Sequence, residues 1–358
     1  MKLAVRLPYK KWLQWLILYM ASLLVGVNVV AQDWPAEKVR QDFIALLARP
    51  ATDRAPSFTV TVTDSVEIER GYFFSAPNEK VPVLIYRPKA APRRWPVVVC
   101  LHGTGGSKDD AGIKSLLMQL VHAGFMAVSI DGRYHGERGM AAAGHNRYEE
   151  AIISAWRQRA GEPQAHPFFY DTVYDVWKLL DYLQTRSDID TTRMGMMGIS
   201  KGGIETWMAA SVDRRIKVAV PVISVQSFAW SLSNDRWQGR ANTIRTAHLA
   251  VAKDLGDTVI NKENVQRLWN KIVPGITGEF DCPSMLRLFA PRPLLILNTA
   301  NDANCPLPGA KIAYAATLKA YKTKQAQDKL KMDIAPQQPH VFTPLHQAMA
   351  IEWFKRWL

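Results

Sequence analysis

The feature that most constrains this chain is a set of short, almost wholly apolar segments spaced along it. They are Pro96 to Leu101 (PVVVCL), Phe125 to Ile130 (FMAVSI), Met194 to Gly198 (MGMMG), Ile216 to Val222 (IKVAVPV) and Pro293 to Leu297 (PLLIL). Each is too short to cross a bilayer and lacks the polar positions of an amphipathic helix. Such runs read as strands buried on both faces, the pattern of a parallel sheet. Helical patterns lie among them at Asp110 to His122, Thr172 to Gln184 and Gly202 to Ser211. Strand, helix and strand in succession imply right-handed parallel crossovers. The predicted fold class is therefore α/β, an open, doubly wound, mostly parallel sheet.

Phe58 to Arg70 (FTVTVTDSVEIER) alternates apolar and polar residues and reads as one half-exposed strand. Val81 to Arg87 reads as a second, and both are expected to be antiparallel at the edge of a mixed sheet. Pro35 to Leu47 reads as a short helix. From about 224 to 289 no strand run occurs, but helical patterns and the aromatics Phe228, Trp230, Trp237 and Trp269 do. A long insertion between core strands reads as a helical cap. Residues 134–166 form a second, smaller excursion.

Lys2, Arg6, Lys10 and Lys11 precede an apolar run from Trp12 to Val30, which ends in Val29-Val30-Ala31. Residues 1–31 thus carry a signal-peptide pattern, with an uncleaved N-terminal anchor as the alternative. Either reading puts residues 32–358 outside the cytoplasm, secreted or periplasmic, with membrane contact only through the leader.

A hydrophobic fraction of 48% with 22% charged residues argues against disorder and coiled coil. The formal charge is +13, but the basic residues are scattered, with one Lys-rich piece at Lys319 to Lys331. That reads as a solvated basic face, not a nucleic-acid surface. Cys100 falls inside a strand run and reads as a buried thiol. Cys282 and Cys305 are candidates to pair in an oxidising compartment. Neither the cysteines nor the histidines have metal-ligand spacing, so no metal or cofactor is expected.

The strongest chemical signal is Gly198-Ile199-Ser200-Lys201-Gly202, a Gly-x-Ser-x-Gly motif between a strand run and a helix pattern. That placement suits a tight turn that projects the serine hydroxyl, whereas the competing role is a helix N-cap. A serine nucleophile needs a base and an orienting acid, here expected in the order Ser, Asp, His. Asp302 follows the last apolar strand after a short turn, with Asp281 the runner-up. His340 lies in a polar loop. His346 lies inside a helix pattern capped by Thr343 and begun by Pro344, so His340 is favoured as the base. The oxyanion donors expected are the amides of Lys201 and Thr104, the latter from His102-Gly103-Thr104-Gly105-Gly106. Arg133, in Asp131 to Arg138 (DGRYHGER), is a candidate substrate clamp or a brace between loops. Trp230 and Trp156 are candidate walls for an acyl pocket.

Taken together, Leu101 to Gly106, Asp131 to Arg138, Gly198 to Gly203, Asn298 to Asp302 and His340 to Pro344 resemble the α/β-hydrolase superfamily. Within it the chain is similar to the dienelactone-hydrolase and prolyl-oligopeptidase-like branch that includes acetyl xylan esterase relatives. The resemblance runs from about Phe58 to Leu358. It implies Ser200 as nucleophile, Asp302 as orienting acid and His340 as base. Dienelactone hydrolases proper use a cysteine, so Ser200 shifts the expectation to ester hydrolysis. The expected activity is cleavage of small-molecule or carbohydrate esters through an acyl-enzyme. The alternatives are a prolyl-oligopeptidase-like exopeptidase and a non-catalytic binding protein on the same fold. The segment ahead of the hydrolase domain holds at most one propeller blade, which weakens the peptidase reading.

Overall fold

The apolar runs become the middle of a nine-stranded sheet with the order β1-β2-β3-β5-β4-β6-β7-β8-β9. The computed structural model describes residues 34–63, 65–89, 94–139 and 147–358. The leader expected at residues 1–31 lies outside them. The strands are β1 (Ser57–Val62), β2 (Val66–Ala76), β3 (Glu79–Pro88), β4 (Trp95–Leu101), β5 (Met126–Ile130), β6 (Ile189–Ile199), β7 (Ile216–Val222), β8 (Leu294–Thr299) and β9 (Leu330–Ala335). From β5 through β9 all pairings are parallel, whereas β1, β2 and β3 join antiparallel at one edge. A doubly wound, mostly parallel α/β sheet is what the segments specify.

One expected element divides. Phe58 to Arg70 is not one strand but most of a hairpin, β1 against β2, with Phe58 opposite Gly71 and Val62 opposite Glu67. Thr63 makes the turn. Its backbone N–H donates to the Val66 carbonyl (2.9 Å), and its Oγ1 accepts from the Val66 N–H (3.1 Å). This local hydroxyl bond reverses the chain without breaking the apolar alternation that suggested a single strand.

Every residue of β4, β5 and β8 is buried. Alternate side chains of β4 face two cores. Val97, Val99 and Leu101 pack with helices α1 (Ala36–Leu47), α4 (Tyr170–Gln184) and α5 (Lys201–Val212). Val98 and Cys100 pack with α2 (Ala111–His122) and α12 (Pro344–Trp357). Helices on both faces explain why the strand runs carry so few polar residues. Each fully buried Val or Leu contributes about 1.5–3 kcal/mol. All of α5 is buried, so the helix behind Ser200 is fixed along its whole length.

Between β7 and β8 lie only helices among the described residues: α6 (Phe228–Ser233), α7 (Gln238–Asn242), α8 (Arg245–Asp254), α9 (Lys262–Ile272) and α10 (Cys282–Leu286). A reciprocal capping box between Asn261 and Asn264 starts α9. Trp269 of α9 meets Phe228 of α6 edge-on at 5.5 Å. The 134–166 excursion carries α3 (Arg147–Arg157), whose Arg157 reaches Asp254 of α8 at 2.8 Å. After β8, α11 (Leu307–Thr323) leads to β9. All three cysteines are free and buried, so Cys282 and Cys305 do not pair. No helix among the described residues is long and apolar enough to cross a membrane.

Candidate active site

Ser200 sits between the end of β6 and the start of α5, with φ 55° and ψ −112°. A non-glycine residue with positive φ stores about 1–3 kcal/mol and persists only where its surroundings hold it. Here its N–H donates to the Val222 carbonyl (2.9 Å) and its carbonyl accepts from the Ile204 N–H (3.0 Å). Close packing completes the turn. A Cβ on Gly202 would stand 2.5 Å from the Leu101 carbonyl oxygen and 2.6 Å from that of His102. Both are main-chain atoms, at the end of β4 and the start of the loop after it, so neither can move aside cheaply. Gly202→Ala is therefore expected to displace that loop from Ser200. It should lower kcat about 100-fold for an ångström of displacement, measured with a chromogenic ester beside a folding control.

His340 and Asp302 converge on this turn. Two backbone bonds tie their loops together, Ala300 N–H to the Ala335 carbonyl and Asn301 N–H to the Gln338 carbonyl, each 3.0 Å. His340 Nε2 lies 2.7 Å from Ser200 Oγ, and His340 Nδ1 lies 2.7 Å from Asp302 Oδ2. The other carboxylate oxygen, Oδ1, accepts from the backbone N–H groups of Asn304 (2.7 Å) and Cys305 (3.0 Å). Asp302 thus stabilises its own turn, a common role of aspartate, and also faces the histidine. A carboxylate at Nδ1 fixes the tautomer that leaves the Nε2 lone pair toward the serine hydroxyl.

The loop after β4 turns tightly, with Gly106 N–H bonded to the Gly103 carbonyl at 3.1 Å. Its Gly103 stands against the serine, since a Cβ there would be 3.6 Å from Ser200 Cβ. Thr104 occupies this turn, half-buried. Lys201 begins α5, and an N–H in the first turn has no acceptor within its own helix. His102 pins the turn from below. Its Nδ1–H donates to the Gly103 carbonyl (2.7 Å), and its Nε2 accepts from the Gly132 N–H (3.0 Å). Burial, reinforced by the Lys201 cation, pushes His102 down to about 4, so it is a neutral brace at pH 7. The Lys201 side chain is fully buried and its Nζ meets Glu205 Oε1 at 2.5 Å. The sequence pointed to Lys201 only for its amide. Its buried ion pair at i,i+4 had no signal beyond that spacing.

Of the two roles expected of Arg133, the geometry supports the brace between loops. Its guanidinium is spent on a bidentate pair with buried Asp175 (2.7 and 3.0 Å) and on Glu79 (2.9 Å), and Arg138 grips the same two carboxylates. It braces the loop after β5 and is not a substrate clamp, because every end of its fork is occupied. Asp131 in the same motif holds the buried Lys108 Nζ at 3.0 Å. The runners-up go elsewhere. Asp281 accepts from Ser227 Oγ and caps α10, and buried His346 meets Asp333 at 3.0 Å. Trp156 lies under the Lys271 ammonium. Trp230 is half-buried on a cleft of about 570 Å³, together with Asn234, Gln238, Asn301 and Asp302.

Asp302, Cys305 and His340 also bring three potential metal-ligating atoms within 4.8 Å of one another. His340 Nδ1 and Asp302 Oδ2 are already bonded to each other, and burial pushes the Cys305 thiol far up, keeping it protonated. The cluster reads as an acid–base pair beside a buried thiol.

Comparison with known proteins agrees with this fold. The acetyl xylan esterase family model matches residues 57–234, and the prolyl oligopeptidase family model matches residues 170–358. A putative hydrolase of Bacillus subtilis, YtaP, is 24% identical over 78% of this chain and 85% of its own length. Among solved structures, an acetyl xylan esterase from Paenibacillus sp. R4 aligns with a TM-score of 0.64 at 18% identity, covering 90% of this chain and 94% of that one. Methylesterase BT1017 aligns with a TM-score of 0.64 at 17% identity, covering 95% of this chain, which spans 66% of that one. The chain belongs to the prolyl oligopeptidase family of α/β-hydrolases, with an acetyl xylan esterase-like match over residues 57–234.

Proposed function

We propose that the protein cleaves carboxylic esters through an acyl-enzyme formed on Ser200. The observation that carries this reading is the unbroken hydrogen-bond chain from Ser200 Oγ through His340 to Asp302, 2.7 Å at each step. His340 takes the hydroxyl proton as Oγ attacks the ester carbonyl, and Asp302 stabilises the imidazolium that forms. The Lys201 and Thr104 amides bind the oxyanion, each such donor contributing about 3 kcal/mol to the transition state. His340 then returns the proton to the leaving alcohol. In the second half it deprotonates water, which releases the acid and restores Ser200. The substrates are small-molecule or carbohydrate esters, a reading that the acetyl xylan esterase family match supports. The signal-like leader supports a periplasmic or secreted setting.

The test is labelling of the full chain with a fluorophosphonate, followed by turnover of p-nitrophenyl esters of rising acyl length. Stoichiometric labelling on Ser200 with fastest turnover of short esters is the expected result. A folded protein that does not label overturns the nucleophile assignment. Faster cleavage of an Xaa-Pro p-nitroanilide than of any ester would move the reading to an exopeptidase.

A further inference from the structure

The insertion between β7 and β8 contributes one of the most fully buried large side chains of the protein, and it is a cation. Arg240, on α7, is 1% exposed. A buried guanidinium is costly unless a charge compensates it. No carboxylate among the described residues pairs with Arg240, and its Nε is buried without a hydrogen-bond partner. Its Nη2 donates to the Asn304 carbonyl (3.1 Å) and to Cys305 Sγ (3.3 Å).

Those acceptors belong to the turn that holds Asp302. The Asn304–Cys305 peptide unit accepts from Arg240 through its carbonyl and donates to Asp302 Oδ1 through the Cys305 N–H. A cation at the carbonyl end polarises the peptide and strengthens the bond its N–H makes to the carboxylate. The preceding residue shows how closely the helix is seated. A Cβ on Gly239 would lie 2.1 Å from the Ala303 carbonyl oxygen.

We propose that Arg240 is a positioning residue for the reaction, holding the turn that presents Asp302 to His340. The insertion then helps assemble the triad and is more than a cover over it. This rests on the Ser200–His340–Asp302 reading.

The test uses Arg240→Met and Arg240→Lys in the full chain, with Asp302→Asn as reference. Arg240→Met should lower kcat for p-nitrophenyl acetate about 10- to 100-fold, with KM within about twofold of the parent on the same displacement argument. The low-field proton NMR signal of the His340 Nδ1–H···Asp302 bond should move or broaden. Arg240→Lys keeps the charge with a single donor group and should recover part of both. If Arg240→Met does not fold, Arg240→Lys carries the test, and must show the displaced signal with a smaller loss of kcat. A folded Arg240→Met with parental kcat and signal overturns the inference, as does a defect confined to KM for anionic esters. Should Asp302→Asn keep full activity, the triad reading itself fails. Loss in Asp302→Asn without loss in either Arg240 variant removes only the role of Arg240.

Discussion

Replacing Ser200 with alanine is expected to lower kcat for a chromogenic ester by about 10⁴-fold or more. The reason is geometric. Ser200 Oγ is the atom held 2.7 Å from His340 Nε2, and nothing else on the turn presents a nucleophile to that base. His340→Ala should cost a similar factor, because an unassisted serine hydroxyl is a poor nucleophile at neutral pH. The double variant should be scarcely worse than either single one, since the groups act as a unit. Residual turnover above the uncatalysed rate would then report the oxyanion amides alone. Equal losses in the singles but a much larger loss in the double would mean that the two residues act independently, contrary to the reading.

Asp175→Ala is expected to lower the unfolding free energy by about 3–5 kcal/mol, read from the midpoint of urea unfolding. Asp175 has no exposed surface, and both Arg133 and Arg138 close on it. Truncation leaves those two nearly buried guanidiniums sharing only half-exposed Glu79. The same pair sets a pH dependence. Burial opposes the charged form of Asp175, but the Arg133 and Arg138 cations outweigh it and hold the carboxyl at about 2. That is below the ordinary aspartate value of about 3.9. The unfolded chain therefore binds the extra proton first. The pair's contribution is present in full above about pH 4 and is lost as pH falls toward 2. Parental stability should drop through that window, and the profile of Asp175→Asn should be flatter there. Parallel profiles would show that another group governs acid unfolding.

The sequence carried most of the sheet because burial on both faces leaves a local mark. Val97 to Leu101 and Leu294 to Leu297 contain no polar side chain, and no other element of a soluble domain tolerates that so briefly. The candidate site was legible for a related reason. A turn too tight for side chains demands glycine around Ser200, and parallel strand ends put Asp302 and His340 on the same edge of the sheet. The hairpin within 57–76 stayed hidden because Thr63 turns the chain with a hydroxyl instead of with a Gly or Pro. Arg133 remained ambiguous because its partner is 42 residues away, and Arg240 was invisible because its acceptors are 64 and 65 residues away. Contacts of that separation write nothing into either neighbourhood.

The seat of Gly239 against Ala303 bears on how such enzymes can be remodelled. An insertion joined to its scaffold only at two strand ends would be an exchangeable module, and specificity would be transferable by grafting it. Here the graft would have to bring a glycine and an arginine that match the recipient's acid loop, atom for atom. Swapping the insertion whole would thus disturb the acid loop as well as the cleft wall at Trp230.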